Sequence, residues 1–252
     1  MINLSYQKRG RLHASLFVCV IALLVCSPTL SGQEKKTEQP KTKKRRKNPV
    51  MQPIEDVEGL PRVLLIGDSI SIGYTLPVRE MLKGEANVHR PLTNCGPTTN
   101  GVKNLDKWLG NKKWDVIHFN WGLHDLKYMG PQGQNLADPN AADSKPQVPI
   151  DEYEKNLRSL VERLKKTDAK LIWRSTTPVP KGARGRVMGD SVKYNEVAKK
   201  IMDENSIAID DQYAFAFKQL DKIQKPRDVH FTKDGSKQLA EQAVAAIRKA
   251  MK

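Results

Sequence analysis

The chain has 252 residues, with 43 Lys and Arg against 28 Asp and Glu, and a formal net charge of +15. This length allows one large domain or two small ones. Much of the basic excess lies in the first sixty residues, and the aromatic residues are not interleaved with the basic run. This distribution argues against a specific nucleic-acid-binding protein, because single-strand binding needs aromatic side chains beside the cations.

Residues 1–32 have the layout of a secretory signal peptide. Basic residues at 8, 9 and 11 precede an apolar run, Ala14 to Cys26, and small residues follow through Gly32. An apolar run of about a dozen residues is too short to span a bilayer comfortably. We therefore expect an exported protein, periplasmic or extracellular, with no transmembrane domain in its mature form; a retained membrane anchor is the alternative.

Residues 33–59 are predicted to form a disordered basic linker. The segment is poor in apolar residues and contains the run KTKKRRK from Lys41 to Lys47. Such a composition cannot bury enough surface to offset the entropy of ordering. Weak contact with a polyanion, for an exported protein one of the envelope or matrix, and a solvated spacer are both open interpretations.

Cysteine usage bears on how the mature protein is stabilised. Cys19 and Cys26 lie inside the predicted signal, so only Cys95 remains in the mature chain. An internal disulfide is then impossible, although an exported protein would be permitted one. Stability must come from core packing.

From residue 60 to residue 252, apolar runs alternate with amphipathic stretches, which is typical of a parallel sheet covered by helices. The predicted strands are Arg62 to Ile66, Asn87 to Leu92, Asp115 to Asn120, Ala169 to Ser175, and Ser206 to Asp210. The predicted helices are Ile72 to Leu82, Gly101 to Leu109, Ile150 to Lys166, Asp190 to Glu204, Asp211 to Ile223, and Thr232 to Ala250. Gly130 to Pro149 is predicted to be a long loop at the site end of the sheet. We expect one three-layer α/β/α domain.

Ser69 is the best candidate nucleophile. It follows the buried run from Val63 to Ile66, within VLLIGDSIS, and so lies at the carboxyl end of a predicted parallel strand. Open α/β sheets build their sites at that edge. The alternative is that Ser69 only caps the following helix, because serine is a preferred N-cap residue.

A serine nucleophile needs a base within hydrogen-bond reach. His230, in PRDVHFT before the last predicted helix, is the best candidate, although a lone histidine often has only a surface or packing role. Asp228 lies two residues earlier and could orient the imidazole and stabilise its cation.

Acyl transfer also needs hydrogen-bond donors for the developing oxyanion. The Ser69 N–H at a helix N-terminus is one candidate donor. Gly96, in NCGPTTNG, is a second, with a simple turn as the alternative. The third predicted strand ends in HFNWGLHDL, which brings Asn120, His124 and Asp125 to the same edge.

Metal and cofactor sites are not predicted. The histidines are dispersed without the spacing of a ligand cluster. GDSISIG differs from the phosphate-binding G-x-G-x-x-G pattern, because the second glycine is absent.

Four blocks of the chain together look like those of the SGNH (GDSL-type) hydrolases: GDSIS, a glycine after the second strand, Gly-x-His-Asp after the third, and a late Asp-x-His. The resemblance covers about residues 62 to 251. It implies a flavodoxin-like fold, with a mostly parallel five-stranded sheet, and ester hydrolysis through an acyl-serine intermediate. It also implies that Ser69 is nucleophile and first oxyanion donor, Gly96 the second donor, and His230 the base.

The sequence departs from the family pattern at two places. The third family block is Gly-x-Asn-Asp, so His124 stands where an asparagine side chain would donate to the oxyanion. An imidazole N–H can still donate, and Asn120 is the alternative donor. The family places its acid three residues before the histidine, where this chain has Arg227. Asp228 is the nearest carboxylate; otherwise the site would be a Ser-His dyad.

The leading functional hypothesis is an exported serine esterase that removes short acyl groups, acetyl first among them, from a carbohydrate or other small ester. Trp121 is a candidate for stacking on a sugar ring, or for core packing. The same acyl-serine would serve an acyltransferase. A non-catalytic module that binds envelope polysaccharide is the alternative from a different class.

Overall fold

A computed structural model describes residues 48–252, so the predicted signal and most of the predicted linker lie outside the described residues. The strands are β1 (Arg62–Ile66), β2 (Asn87–His89), β3 (Val116–Phe119), β4 (Tyr128–Met129), β5 (Lys145–Pro146), β6 (Lys170–Arg174) and β7 (Ala208–Asp210). The helices are α1 (Ser69–Met81), α2 (Thr98–Leu109), α3 (Ile150–Lys165), α4 (Asp190–Glu204), α5 (Gln212–Phe217), α6 (Leu220–Ile223) and α7 (Lys233–Met251). No helix of this part of the chain is long and apolar enough to cross a membrane.

Five strands form one sheet in the order β2-β1-β3-β6-β7, and every neighbouring pair is parallel. This is the flavodoxin-like order, in which the chain runs to one side of β1 and then returns to the other side. The strands are short apolar runs, such as RVLLI in β1, whose last four residues are all buried. Strands covered on both faces need such runs.

The helices form the outer two layers. α1 packs against α7 on one side, and α7 also contacts β3, β6 and β7. The helices α2, α3 and α4 contact one another in series. The structure confirms the predicted three-layer α/β/α class, with a main sheet that is wholly rather than mostly parallel.

α1 and α2 each begin three residues earlier than predicted, at Ser69 and Thr98. Other differences concern β2, the region 211–223 and the predicted long loop. β2 ends at His89, three residues before the predicted end. The predicted helix over 211–223 is two helices, α5 and α6, separated at Lys218 and Gln219. The predicted long loop contains β5, which pairs with β4 as a small antiparallel hairpin.

The last twelve residues of the predicted linker, 48–59, make contacts with the folded domain. Val50 is buried and lies in a short 3-10 helix, Pro49–Met51. The Asp56 carboxylate accepts hydrogen bonds from Arg62 and Lys112. Composition could not show this, because these few residues are held by contacts with distant parts of the domain.

Candidate active site

Ser69 is the first residue of α1, and it directly follows the turn after β1. The helix cap is Asp68, whose Oδ1 accepts a 3.0 Å hydrogen bond from the Ile70 N–H. Ser69 therefore is not the N-cap, and its hydroxyl is free for another partner. Its N–H belongs to the first turn, where backbone donors have no partner inside the helix.

Gly67 makes this sharp turn possible. A Cβ at this position would lie 2.9 Å from both Cβ and Oγ of Ser71, closer than non-bonded carbon atoms approach. The absent side chain lets the chain pass directly from strand to helix, with Ser69 at the carboxyl end of the sheet.

His230 contacts Ser69 across 161 residues of sequence. Its Nε2 lies 2.9 Å from the Ser69 Oγ, and its Nδ1 lies 2.7 Å from Oδ1 of Asp228. An ionised carboxylate can only accept hydrogen bonds, so Nδ1 carries the ring proton and Nε2 accepts from the serine hydroxyl. The three predicted residues thus form one continuous hydrogen-bonded chain.

The two-residue spacing of Asp228 and His230 is accommodated by a tight turn. The Asp228 N–H donates to Lys225 O, and the Lys225 N–H donates to His230 O. Arg227, inside this turn, has a left-handed φ of 58°. Asp228 Oδ1 accepts from the His230 N–H at 3.1 Å as well as from its ring, so one carboxylate oxygen fixes both.

The electrostatic environment keeps Asp228 ionised. Partial burial alone would raise the pKa of this carboxyl, but the hydrogen bonds from the His230 backbone and ring and the imidazole charge outweigh burial and lower it. A carboxylate beside Nδ1 favours the imidazolium that forms when His230 takes a proton.

Gly96 occupies the loop between β2 and α2, with a left-handed φ of 62° that glycine adopts without strain. Its N–H donates to Asn94 Oδ1 at 2.9 Å. The predicted second oxyanion donor is therefore engaged by a neighbouring side chain in this structure. Rotation of the half-buried Asn94 side chain would free it.

His124 is partly exposed, and its ring makes no hydrogen bond with any described residue. Burial lowers the pKa of His124; the Asp68 carboxylate opposes this, and Lys127, Arg186 and His230 add to it. The ring is therefore neutral in neutral solution and has one N–H to donate.

Asn120 is 1% exposed and committed to the protein interior. Its amide donates to Arg174 O at 2.8 Å and to Thr176 Oγ1 at 3.1 Å, while its Oδ1 accepts from the buried Arg174 guanidinium. With both amide protons used, Asn120 is not available to an oxyanion. Of the two predicted side-chain donors, the geometry favours His124.

Trp121 and Asp125 also have structural roles. Trp121 is 1% exposed and lies so close to α2 that a Cβ on Gly101 would come within 2.8 Å of the indole. The suggestion that Trp121 stacks on a sugar ring is wrong. Asp125 is fully buried, and its Oδ1 accepts from both the N–H and the hydroxyl of Thr98.

Two cationic residues near this site were not predicted. Arg186, in the loop after β6, donates from Nε to Leu123 O at 3.1 Å, next to His124. Lys127 is 9% exposed and follows Asp125 by two residues. The two glycines that precede Arg186 in KGARGR were a weak signal for a shaped loop. Nothing in the spacing indicated which segment the loop would contact.

The site is shallow and open. The side chains of His230 and Asp228 are 45% and 43% exposed. Two depressions of about 640 and 650 Å³ are lined by other residues, and Arg227, next to Asp228 in sequence, lines one of them. The described residues contain no group of three or more His, Cys, Asp or Glu arranged to hold a metal ion.

Comparisons with known proteins give a likeness of structure only. No protein-family model and no curated protein matches the sequence. Among solved structures, an acetyl xylan esterase is similar with a TM-score of 0.59 and 17% identity over 74% of this chain and 99% of the other. A lipase/acylhydrolase from Enterococcus faecalis has a TM-score of 0.62 and 19% identity over 77% and 98%. An acetylxylan esterase from Geobacillus stearothermophilus has a TM-score of 0.58 and 18% identity over 74% and 94%. At these identities, the likeness shows a shared fold across nearly the whole of each relative.

Proposed function

We propose that this protein is a serine ester hydrolase of the SGNH type that works through an acyl-serine intermediate. The observation that carries the proposal is the chain of hydrogen bonds from Ser69 Oγ through the His230 ring to Asp228. A nucleophile, a base and an orienting acid in contact are the requirements of acyl transfer to serine. The shared fold with solved esterases and acylhydrolases supports the same chemistry.

The first half of the reaction acylates the serine. His230 Nε2 takes the hydroxyl proton as Ser69 Oγ attacks the ester carbonyl, and Asp228 stabilises the imidazolium. The Ser69 N–H and the His124 ring donate to the oxyanion, and the Gly96 N–H joins them when Asn94 turns away. Collapse of the tetrahedral intermediate breaks the ester C–O bond, and His230 returns its proton to the leaving alcohol.

The second half releases the acyl group. Water donates a proton to His230 Nε2 and attacks the acyl-serine carbonyl, and the same donors stabilise the second oxyanion. When this intermediate collapses, the bond to Ser69 Oγ breaks, the acid leaves, and the serine recovers its proton. The exposed face of His230 gives water direct access.

We also propose that the substrate is a short acyl ester, such as acetate, on a carbohydrate, and that the protein is exported. The open site supports the substrate class, because it can receive a small acyl group that projects from a large molecule. Two solved structures of the same fold are acetylxylan esterases. Export is supported by the predicted signal in residues 1–32.

The test is p-nitrophenyl acetate hydrolysis by the wild type and by Ser69→Ala between pH 5 and 9. We expect the variant to lose at least about a thousandfold in kcat at every pH in this range. Ser159→Ala is the matched control, because Ser159 lies in α3 and makes no side-chain hydrogen bond with described residues. Equal rates for folded wild type and Ser69→Ala would contradict the proposal and favour a non-catalytic binding module.

An acyltransferase is the second candidate, favoured by the same exposure of His230. A sugar hydroxyl can reach an open acyl-serine as readily as water can. Partitioning of a labelled acetyl group between water and an added sugar acceptor distinguishes the two reactions.

A further inference from the structure

The loop after β6 is fixed against the loop after β3 by two hydrogen bonds. The Tyr128 N–H donates to Gly185 O at 2.8 Å, and Arg186 Nε donates to Leu123 O at 3.1 Å. Gly185 has a left-handed φ of 61°, and a Cβ there would lie 2.4 Å from the Leu136 Cα. This close approach holds Arg186 in one place beside the site.

The rest of the Arg186 guanidinium has no partner among the described residues. Only Nε donates a hydrogen bond, and no carboxylate of residues 48–252 forms an ion pair with the group. Solvent reaches Nη1 and Nη2, because neither is among the buried polar atoms that lack a hydrogen-bond partner. An arginine held by its Nε presents the planar fork of Nη1 and Nη2 to an incoming group.

Lys127 places a second cation in the same region. The residue is 9% exposed, and its Nζ makes no hydrogen bond or ion pair with described residues. Nζ is not among the buried polar atoms without a partner, so solvent reaches it. Burial lowers the pKa of Lys127, and the charge of Arg186 lowers it further, against the opposing influence of Asp125. Neighbouring cations repel each other, and an anion bound by both would relieve that repulsion.

The cations lie close to the catalytic groups. Leu123, which accepts from Arg186, directly precedes His124. Burial lowers the pKa of Arg186, and the charges of Asp68 and Asp228 oppose this effect. Asp68 directly precedes Ser69, and Asp228 orients His230. Both carboxylates are committed elsewhere, Asp68 to the Ile70 N–H and Asp228 to His230. Neither forms an ion pair with Arg186.

We propose that Arg186 and Lys127 form a subsite for an anionic group, a carboxylate or a sulfate, on the sugar that carries the acyl ester. This proposal rests on the proposed function and narrows its substrate class to acidic carbohydrates. A guanidinium fork matches the paired oxygens of either group, and the partly buried lysine adds a point charge. Neutral esters such as p-nitrophenyl acetate reach Ser69 without using the subsite.

The test compares methyl glycosides of acetylated glucose, acetylated glucuronic acid and acetylated glucose 6-sulfate. These substrates differ only in the group at C6. We expect wild-type kcat/KM to be higher for at least one anionic sugar than for the neutral one, and the better of the two identifies carboxylate or sulfate. Arg186→Gln should lower this anionic-to-neutral ratio by about tenfold to a hundredfold, the usual effect of losing a charged hydrogen bond.

Matched variants keep the result interpretable. Arg184→Gln removes the exposed arginine two residues earlier in the same loop and should leave the ratio unchanged. Lys127→Gln should lower the ratio and replaces the first variant if Arg186→Gln does not fold. A wild-type ratio of one, or a ratio that survives both substitutions, would overturn the proposal.

Binding without turnover separates this proposal from the proposed function. Calorimetry with Ser69→Ala and methyl glucuronide or methyl glucose 6-sulfate should show binding that weakens about tenfold or more on adding Arg186→Gln. If the wild type bound these sugars but hydrolysed no ester, the subsite proposal would hold and the hydrolase proposal would be wrong. If it hydrolysed esters without any preference for anionic sugars, the hydrolase proposal would hold and the subsite proposal would be wrong.

Discussion

At the scale of single residues, we predict that His124 donates to the oxyanion. Its ring is free among the described residues, whereas the Asn120 amide is fully used. We predict that His124→Ala lowers kcat for p-nitrophenyl acetate by roughly a hundredfold, the usual effect of losing one oxyanion donor. His124→Asn should recover part of that loss, because its amide can donate from the same backbone position.

The pH dependence supplies the control for this prediction. Burial lowers the pKa of His124, which favours the neutral ring, a form that still has one N–H to donate. The pH–rate profile of His124→Asn should therefore match that of the wild type in its rising limb. A displaced limb, or an alanine variant with full activity, would show that His124 has another role.

At the scale of elements, the start of α7 fixes the loop that carries His230. Thr232 Oγ1 caps the helix by accepting from the Gly235 N–H at 2.9 Å and donates to Ile223 O at 3.1 Å. We predict that Thr232→Ala lowers the free energy of unfolding by about 1 kcal/mol, the usual contribution of an N-cap. Urea denaturation measures this loss.

Thr232→Ser is the matched variant, because it keeps the hydroxyl and removes only a methyl group. It should retain most of the stability that alanine loses. If alanine and serine proved equally stable, the cap would contribute nothing and the position of His230 would depend on α6 and α7 packing alone.

Local sequence patterns predicted the helices and strands that depend on local sequence, and they missed the boundaries that depend on contacts with distant residues. β1 and α4 were predicted to the residue and α3 to within one residue, because each is a continuous apolar or amphipathic run. β2 stops early because Pro91 cannot donate to a ladder and Arg90 turns inward to Ser71 and Thr75. The break between α5 and α6 has no local breaker residue, so the sequence could not show it.

The site residues likewise divide into those that short sequence motifs predict and those that depend on distant contacts. Ser69, His230 and Asp228 lie in short motifs at strand and helix ends, which a sequence displays directly. Gly96 was predicted in position, but its bond to Asn94 depends on a side-chain conformation. Arg186 could not be predicted, because its place depends on two irregular loops meeting.

At the scale of the whole molecule, the sheet order explains where the site lies. From β1 the chain turns to β2 on one side and then returns to β3 on the other. This reversal opens a crevice at the carboxyl ends of the strands. Ser69 lies at the crevice after β1, Gly96 on the β2 side and His124 on the β3 side. His230 lies in the loop that precedes α7. The sheet thus collects residues that are far apart in sequence.

Asp125 connects this edge of the sheet to the stability of the protein. It is buried, and burial raises its pKa to about 7, against the hydrogen bonds from Thr98 that lower it. Its Oδ2 has no partner among described residues, so a proton there lowers the cost of burial. Between pH 3.8 and about 7, the folded protein therefore holds a proton on Asp125 that the unfolded chain has released.

The sign of the effect follows from this difference in bound protons. Between the unfolded and folded pKa values, raising the pH favours the unfolded state by at most about 1.4 kcal/mol per pH unit. Asp125→Asn removes this pH-dependent contribution to the free energy of unfolding and keeps an oxygen that can accept hydrogen bonds from Thr98. The free energy of unfolding of the wild type minus that of Asp125→Asn should therefore fall as the pH rises from 5 to 7 and level off above. Urea unfolding of both proteins across that range measures the difference, in which the titration of all other groups cancels. A difference independent of pH would mean that Asp125 is already ionised at pH 5, and that the buried carboxylate is stabilised by Thr98 and Lys127 instead.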